Sequence, residues 1–301
     1  VRAEPLRLRT ALSPLSHHQA LRDGSVEVPG VSFDWVDVPR LPDIFARMGR
    51  GLEFDLCELS VMTFLLARVH GLPISAIPVV PRHAFHHGDF QIHCDSGISQ
   101  PSDLEGKRVG TRSWTLTPGV LDRGILVDEY GIDLESITWV LAGEEHLREA
   151  EAGLPDNTVR SPGIDLFEAV TSGVIDAAIA GVNVGQRQSA SVTALFPNAA
   201  ELDRLEYERT GIVPAFTVIV IHDRVLESRQ WLAQAIYEGF REAREYGLQP
   251  DPTVLAVVDS DPVPLGLNAN RRSFEELIRL GRDQGILTAP LDVDTLFAFS
   301  E

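Results

Sequence analysis

Short runs rich in β-branched residues alternate with segments of helical period along the whole chain. That alternation constrains the fold more than any other feature. RLRTALS (7–13), VSFDWVDV (31–38), FDLCEL (54–59), SAIPVV (75–80), FQIHC (90–94), KRVGT (107–111), SITWVLA (136–142), IDAAIA (175–180) and PAFTVIVI (214–221) read as strands. Helical patterns cover 41–50, 58–70, 117–130, 164–173, 228–246 and 271–284. Strands separated by helices predict an α/β fold. The helix at 117–130 opens TPG, with Thr as the expected cap and Pro at the first helical position. AGLPDNTVRSPG (152–163) reads as a loop.

A compact strand-helix-strand block occupies 100–180, and the two longest helices follow residue 225. This predicts a central block inserted into another: lobe one over 1–92 and 212–301, lobe two over 93–211, with a ligand cleft between them. Ligands of such sheets gather beyond the carboxyl ends of strands, where helix N-termini offer N–H groups. Three strand-to-helix turns fit: SPLSHH (13–18), CELS (57–60) and TRSWTLT (111–117).

With 301 residues, 44% of them hydrophobic, the chain has an ample core. A formal charge of −18 without a basic run excludes nucleic acid as a partner. The apolar stretch LSVMTFLLARVHGL (59–72) is shorter than the roughly 20 residues a bilayer needs. No membrane partner is expected. The opening VRAEPLRLRTALSPL lacks a signal-peptide apolar region, and two cysteines make no disulfide framework, so a cytosolic protein is expected.

The stretch PRHAFHHGDFQIH (81–93) holds four of the nine histidines. His83, His86 and His87 share a face if it coils. Three readings stay open: a packing seam, an acid/base or anion-binding wall, and a metal site completed by His17 or His18 with Glu58. Glu58 reads as a helix-dipole partner or as a cleft carboxyl that delivers a proton. Cys57 beside it reads as a buried strand-end thiol. Ser60 offers a hydroxyl and an N–H to a carboxylate. Arg112 and Trp114 would suit a planar acid, or form ordinary loop surface. Arg123 either clamps an anion or pairs with Asp122 or Asp128.

DLEGKRVGT (103–111) and LFEAVTSGVIDAAIAG (166–181) resemble the signatures of the type 2 periplasmic-binding-protein fold. FDLCELS (54–60), AIPVVP (76–81), DSGISQPSDLEGKRVGT (95–111), LTPGVLDRGILVDEYGI (116–132), ERTGIVP (208–214) and GLNANR (266–271) together resemble the 4,5-dihydroxyphthalate decarboxylase family nearly end to end. The resemblance implies an intracellular enzyme that removes carbon dioxide from a dihydroxylated aromatic diacid without an organic cofactor. The chain departs from the family where substrate would bind. His83 and His86 stand where the family has arginines in its RxFRHS segment, and only His87 matches. Ser16, His17, His18 and Gln19 occupy a turn that in the family carries Asp and Arg, and Thr217 replaces an expected His.

The resulting expectation is a two-lobed α/β carboxy-lyase for a hydroxylated aromatic or related unsaturated acid. His87 or Glu58 acts as the acid and the other tunes it. Ser60, Thr115 and Arg123 hold the carboxylate, while His17, His18, His83, His86, Arg112, Trp114 and Thr217 complete the site. The histidine stretch is expected to form a tunable cationic wall. The partner is a small carboxylic acid, and self-association stays open. No cofactor is expected, with a metal ion on the histidines as the exception. The alternatives are a solute-binding or sensor protein of the same fold and a metal-dependent enzyme built on it.

Overall fold

The computed structural model describes residues 4–179 and 187–299. Ala180 and Gly181, which end the second fold signature, lie outside the described residues. The chain forms two compact units. Unit 1 runs to Ala84, resumes over Ile212–Ile278 and takes up the chain again from Leu287; unit 2 comprises Phe85–Gly211 and Arg279–Ile286.

Unit 1 opens with β1 (Leu6–Ala11), α1 (Ser16–Arg22), β2 (Val31–Trp35), α2 (Leu41–Gly51), β3 (Leu56–Ser60), α3 (Val61–Val69) and β4 (Ile74–His83). Unit 2 contributes β5 (Gln91–His93), β6 (Arg108–Thr111), α4 (Thr117–Tyr130), β7 (Thr138–Leu141), β8 (Thr158–Arg160), α5 (Leu166–Thr171), β9 (Ala177–Ala178), β10 (Val192–Ala194) and α6 (Ala199–Thr210). Then come β11 (Ala215–His222), α7 (Asp223–Leu226), α8 (Trp231–Gly247), α9 (Pro252–Val257) and α10 (Leu267–Asp283).

The sheet of unit 1 has the order β2-β1-β3-β11-β4. β1 runs parallel to β2 and β3, while β11 is antiparallel to both β3 and β4. The β-branched run of β11 explains its central place: all but one of its residues are buried. Leu8, Leu56, Ile77, Ile219, Leu232, Ile236 and Phe240 form the core that α8 closes. Gly239 lets α8 approach, because a Cβ there would overlap the Val28 side chain. The sheet of unit 2 has the order β10-β5-β9-β6-β7-β8, parallel from β9 to β8 and antiparallel beyond. In each sheet the chain reverses its direction of winding beside one strand, between β1 and β3 and between β9 and β6. Such switch points are where open α/β sheets place ligands.

Several expectations change. The first crossing falls after Ala84, not after residue 92. Phe85 sets its ring edge against Tyr207, and His87 bonds to Asp203 of α6, so this stretch packs into unit 2. Part of the predicted loop at 152–163 forms β8, a three-residue edge strand too short and exposed to show a period. α1 and α6 also escaped the pattern reading. The inner face of α1 is partly histidine, and α6 buries only Asp203, so neither carries an apolar stripe. The cap of α4 is Leu116, with Thr117 already inside the first turn.

Candidate active site

Glu58 lies within β3, three residues before α3 begins, so the helix-dipole reading does not apply. It belongs to the β1–β3 switch point and is wholly buried. Its Oε2 accepts from the Ser13 backbone N–H at 3.2 Å and from the Ser13 hydroxyl. Its Oε1 accepts from the Thr217 hydroxyl at 2.8 Å and from Arg82 Nε at 3.1 Å. Burial alone would raise this carboxyl. Arg82, with the Ser13 and Thr217 hydroxyls, outweighs it and holds Glu58 below its ordinary value, so it is a carboxylate at neutral pH. Ser60, two residues on, shares its sheet face and is buried as well. Burial, reinforced by Glu58, pushes the Cys57 thiol up and keeps it protonated.

His18 sets its Nδ1 3.1 Å from the Ser13 carbonyl oxygen. A carbonyl only accepts, so Nδ1 carries the hydrogen and Nε2 of the neutral ring carries a lone pair. Burial lowers His18, and burial followed by the neighbouring His18 brings His17 down to about 3. Both rings are therefore uncharged. They meet edge to face with centroids 4.6 Å apart. Neither nitrogen of His17 nor Nε2 of His18 has a hydrogen-bond partner among the described residues.

The histidine stretch does not present one face, because the passage between units divides it. His83 ends β4, and its Nε2 lies 2.8 Å from Asn270 Oδ1. The Asn270 amide nitrogen already donates to the carbonyls of Pro264 and Gly266, so the oxygen accepts and His83 donates. Burial brings His83 down to about 4. His86 and His87 belong to unit 2. His86 Nδ1 is 3.0 Å from Asp89 and 3.6 Å from Asp122. His87 holds Asp203 at 2.8 Å through Nδ1 and Glu129 at 3.0 Å through Nε2. Burial would lower His87, yet these carboxylates raise it to about 9. The expected cationic wall thus shrinks: of His17, His18, His83 and His87, only His87 is charged at neutral pH, and both its N–H groups are committed. Arg82 is the permanent cation beside Glu58 that the histidine-centred reading passed over.

In unit 2 the turn after β6 is folded around Glu145. This buried carboxylate accepts from the N–H of Trp114 at 2.6 Å, the N–H of Thr115 at 3.0 Å and the Thr115 hydroxyl at 2.5 Å. Both Thr115 donors are therefore taken up in shaping the turn. Arg123 is wholly buried with its guanidinium carbon 3.7 Å from the Trp114 ring centroid. It donates from Nη2 to the Trp114 carbonyl at 2.6 Å and from Nε to Gln284 at 2.8 Å. Burial brings Arg123 down to about 9, which leaves it charged at neutral pH. It makes no hydrogen bond to Asp128, which pairs with Arg279 instead. Thr111 Oγ1, Ser113 Oγ, Trp114 Nε1 and Arg123 Nη1 are buried without a hydrogen-bond partner among the described residues. Arg112 is half-buried in the same turn.

Ser13, Arg82 and Glu145 were not singled out from sequence. Ser13 ends a predicted strand and opens the SPLSHH turn, and Arg82 lies inside the histidine stretch, so both carried a local signal. Glu145 carried none, being 30 residues from Thr115.

Two sets of described residues could hold a metal ion: His86, Asp89 and Asp122, and His87, Asp203 and Glu206, with the ligand atoms of each within 4.8 Å of one another. His17, His18 and Glu58 join neither set, so the ligand set expected from sequence is replaced.

Two α/β units, both discontinuous in sequence and each with a ligand-type switch point, define a protein of the periplasmic-binding-protein fold. The chain is similar to the periplasmic aliphatic sulphonate binding protein SsuA of Escherichia coli, at 14% identity and a TM-score of 0.59 with 98% of both chains covered. It is similar in fold to the desulfurization enzyme DSZB as well, at 16% identity and a TM-score of 0.56, covering 98% of this chain and 96% of that one. The family model NMT1/THI5 like matches residues 55–153. A 4,5-dihydroxyphthalate decarboxylase of Comamonas testosteroni is 30% identical over 253 residues, 81% of this chain and 76% of that protein. The chain belongs to the 4,5-dihydroxyphthalate decarboxylase family.

Proposed function

We propose that the protein is a carboxy-lyase that removes carbon dioxide from a hydroxylated aromatic acid or a related unsaturated acid without an organic cofactor. One observation carries this reading beyond family membership: a wholly buried carboxylate, Glu58, held ionised beside two uncharged imidazoles, with both nitrogens of His17 and Nε2 of His18 unengaged among the described residues. Buried groups with displaced proton affinities suit proton transfer.

The proton balance is simple. An imidazole of the Glu58–His17–His18 group takes the proton of a ring hydroxyl placed ortho or para to the carboxylate, and Glu58 stabilises the imidazolium. The phenolate pushes electrons to the carboxylate-bearing carbon, which receives that proton. The C–C bond then breaks, carbon dioxide leaves, and its electron pair restores the ring as a phenolate that solvent protonates. The net reaction consumes one proton. Within unit 2, the turn after β6 offers donors and a cation of its own from Ser113, Trp114 and Arg123, a set suited to an anion. His87, with both N–H groups bound to carboxylates, has no part in the transfer.

Purified protein incubated with a panel of hydroxybenzoates and dihydroxyphthalates should release carbon dioxide from at least one, measured with carboxyl-labelled acid. Acids bound tightly but returned unchanged across the panel would overturn the reading in favour of a capture protein.

A further inference from the structure

The unengaged nitrogens at the β1–β3 switch point differ in kind from the unengaged groups in the turn after β6. That turn offers hydroxyls, an indole N–H and a guanidinium N–H, a set suited to an oxyanion. The switch point of unit 1 offers the His18 Nε2 lone pair, whose direction is fixed because Nδ1–H is bound to the Ser13 carbonyl. Beside it, the neutral His17 ring supplies one N–H and one lone pair, with no described partner for either. Nearly all of the His17 ring and all of the His18 ring are shielded from solvent, at 7% and 0% exposure. Polar atoms left unpaired at such depth are costly, which marks them as awaiting a group that completes them.

A carboxylate cannot complete this set. It has no hydrogen to give to the His18 lone pair, and Glu58 already places a negative charge beside it. A cation is disfavoured by Arg82, which already pairs with that carboxylate. An un-ionised hydroxyl satisfies both rings at once, giving its hydrogen to His18 Nε2 and accepting the His17 N–H on its oxygen.

We propose that His17 and His18 form a hydroxyl-recognition subsite that requires a phenolic or enolic O–H on the ligand and rejects a second carboxylate. The subsite deepens the carboxy-lyase reading, since the hydroxyl it holds is the one whose proton that reaction moves. It favours monocarboxylates over phthalate-type diacids. Entry requires the surrounding side chains to part, because the ring nitrogens expose almost no surface.

The test is calorimetric binding of 3,4-dihydroxybenzoate, 3,4-dimethoxybenzoate and benzoate to the wild type, to His18→Asn and to His17→Gln. Asn keeps a donor for the Ser13 carbonyl but lacks the Nε2 lone pair. The wild type should bind the dihydroxy acid at least about 100-fold more tightly than the dimethoxy acid, as expected of sites built around a ligand hydroxyl. In His18→Asn that ratio should fall at least about tenfold while benzoate affinity holds, and His17→Gln should lower the ratio by a smaller factor. Equal affinity of the wild type for all three acids would overturn the subsite and mean that water completes the nitrogens. An unchanged ratio in His18→Asn would overturn it too. The two proposals fail separately. Hydroxyl discrimination without carbon dioxide release leaves the subsite standing and removes the carboxy-lyase reading, whereas carbon dioxide release from a hydroxylated acid that binds no more tightly than its methoxylated analogue does the reverse.

Discussion

His18 in unit 1 and His87 in unit 2 are both wholly buried, yet only His87 is charged at neutral pH. His18 gives one nitrogen to a neutral carbonyl and lies near a carboxylate already occupied by Arg82, Ser13 and Thr217, so burial prevails and the ring is neutral. His87 is gripped by Asp203 and Glu129 with Glu206 close by, so the carboxylates prevail and the ring is an imidazolium. Burial by itself does not set the charge of a histidine. The unmet charge of its neighbours does, and here it separates rings free to exchange a proton from a ring that fastens three segments together.

The contrast breaks most severely if Glu58 loses its cation. Arg82→Met leaves a buried carboxylate whose remaining partners are mainly hydroxyls, and should cost about 3–5 kcal/mol in urea unfolding. A midpoint within error of the wild type would mean that Glu58 is not ionised.

The pH dependence of stability sharpens the same contrast on both sides. His87 has a folded value raised to about 9, so its contribution is complete below the ordinary value near 6.5 and is lost as pH rises through 9. The loss should amount to about 2–3 kcal/mol and disappear in His87→Gln. His17, His18 and His83 are lowered, so below about pH 6.5 the unfolded chain takes up protons that the folded chain refuses. Stability should fall on acidification, and His83→Gln should flatten that limb without touching the alkaline one. Urea midpoints from pH 5 to 10 measure both limbs.

The smallest expected effect concerns metal. An ion on His87, Asp203 and Glu206 would take the place of the Nδ1 proton and end the contrast. Turnover and the His87 limb should both survive dialysis against a strong chelator. A stoichiometric ion found by elemental analysis, with activity lost on its removal, would contradict this.

The alternation of strands and helices was legible in sequence because buried parallel strands are apolar runs and long helices carry an amphipathic period. Short elements with polar inner faces were not, as α1 and β8 show. Glu58, His17 and His18 could be picked out because they lie near the carboxyl ends of strands, where switch points form. Their charge could not, since it depends on Arg82, Ser13 and Thr217, which strand pairing and chain reversal bring from distant positions. The histidine stretch misled for the same reason. His83, His86 and His87 are neighbours in sequence but do not share a role, because the chain passes from one unit to the other between Ala84 and Phe85.

The central claim is that protons move through the Glu58 group of unit 1 and not through His87. It is tested most directly by carbon dioxide release from the best acid of the panel by Glu58→Gln and His87→Gln, each confirmed folded. Glu58→Gln should lose about 10²–10⁴-fold in turnover, as removal of a proton-transfer partner does, while His87→Gln should stay within about tenfold of the wild type at pH 7. Full activity in Glu58→Gln together with its loss in folded His87→Gln would contradict the account.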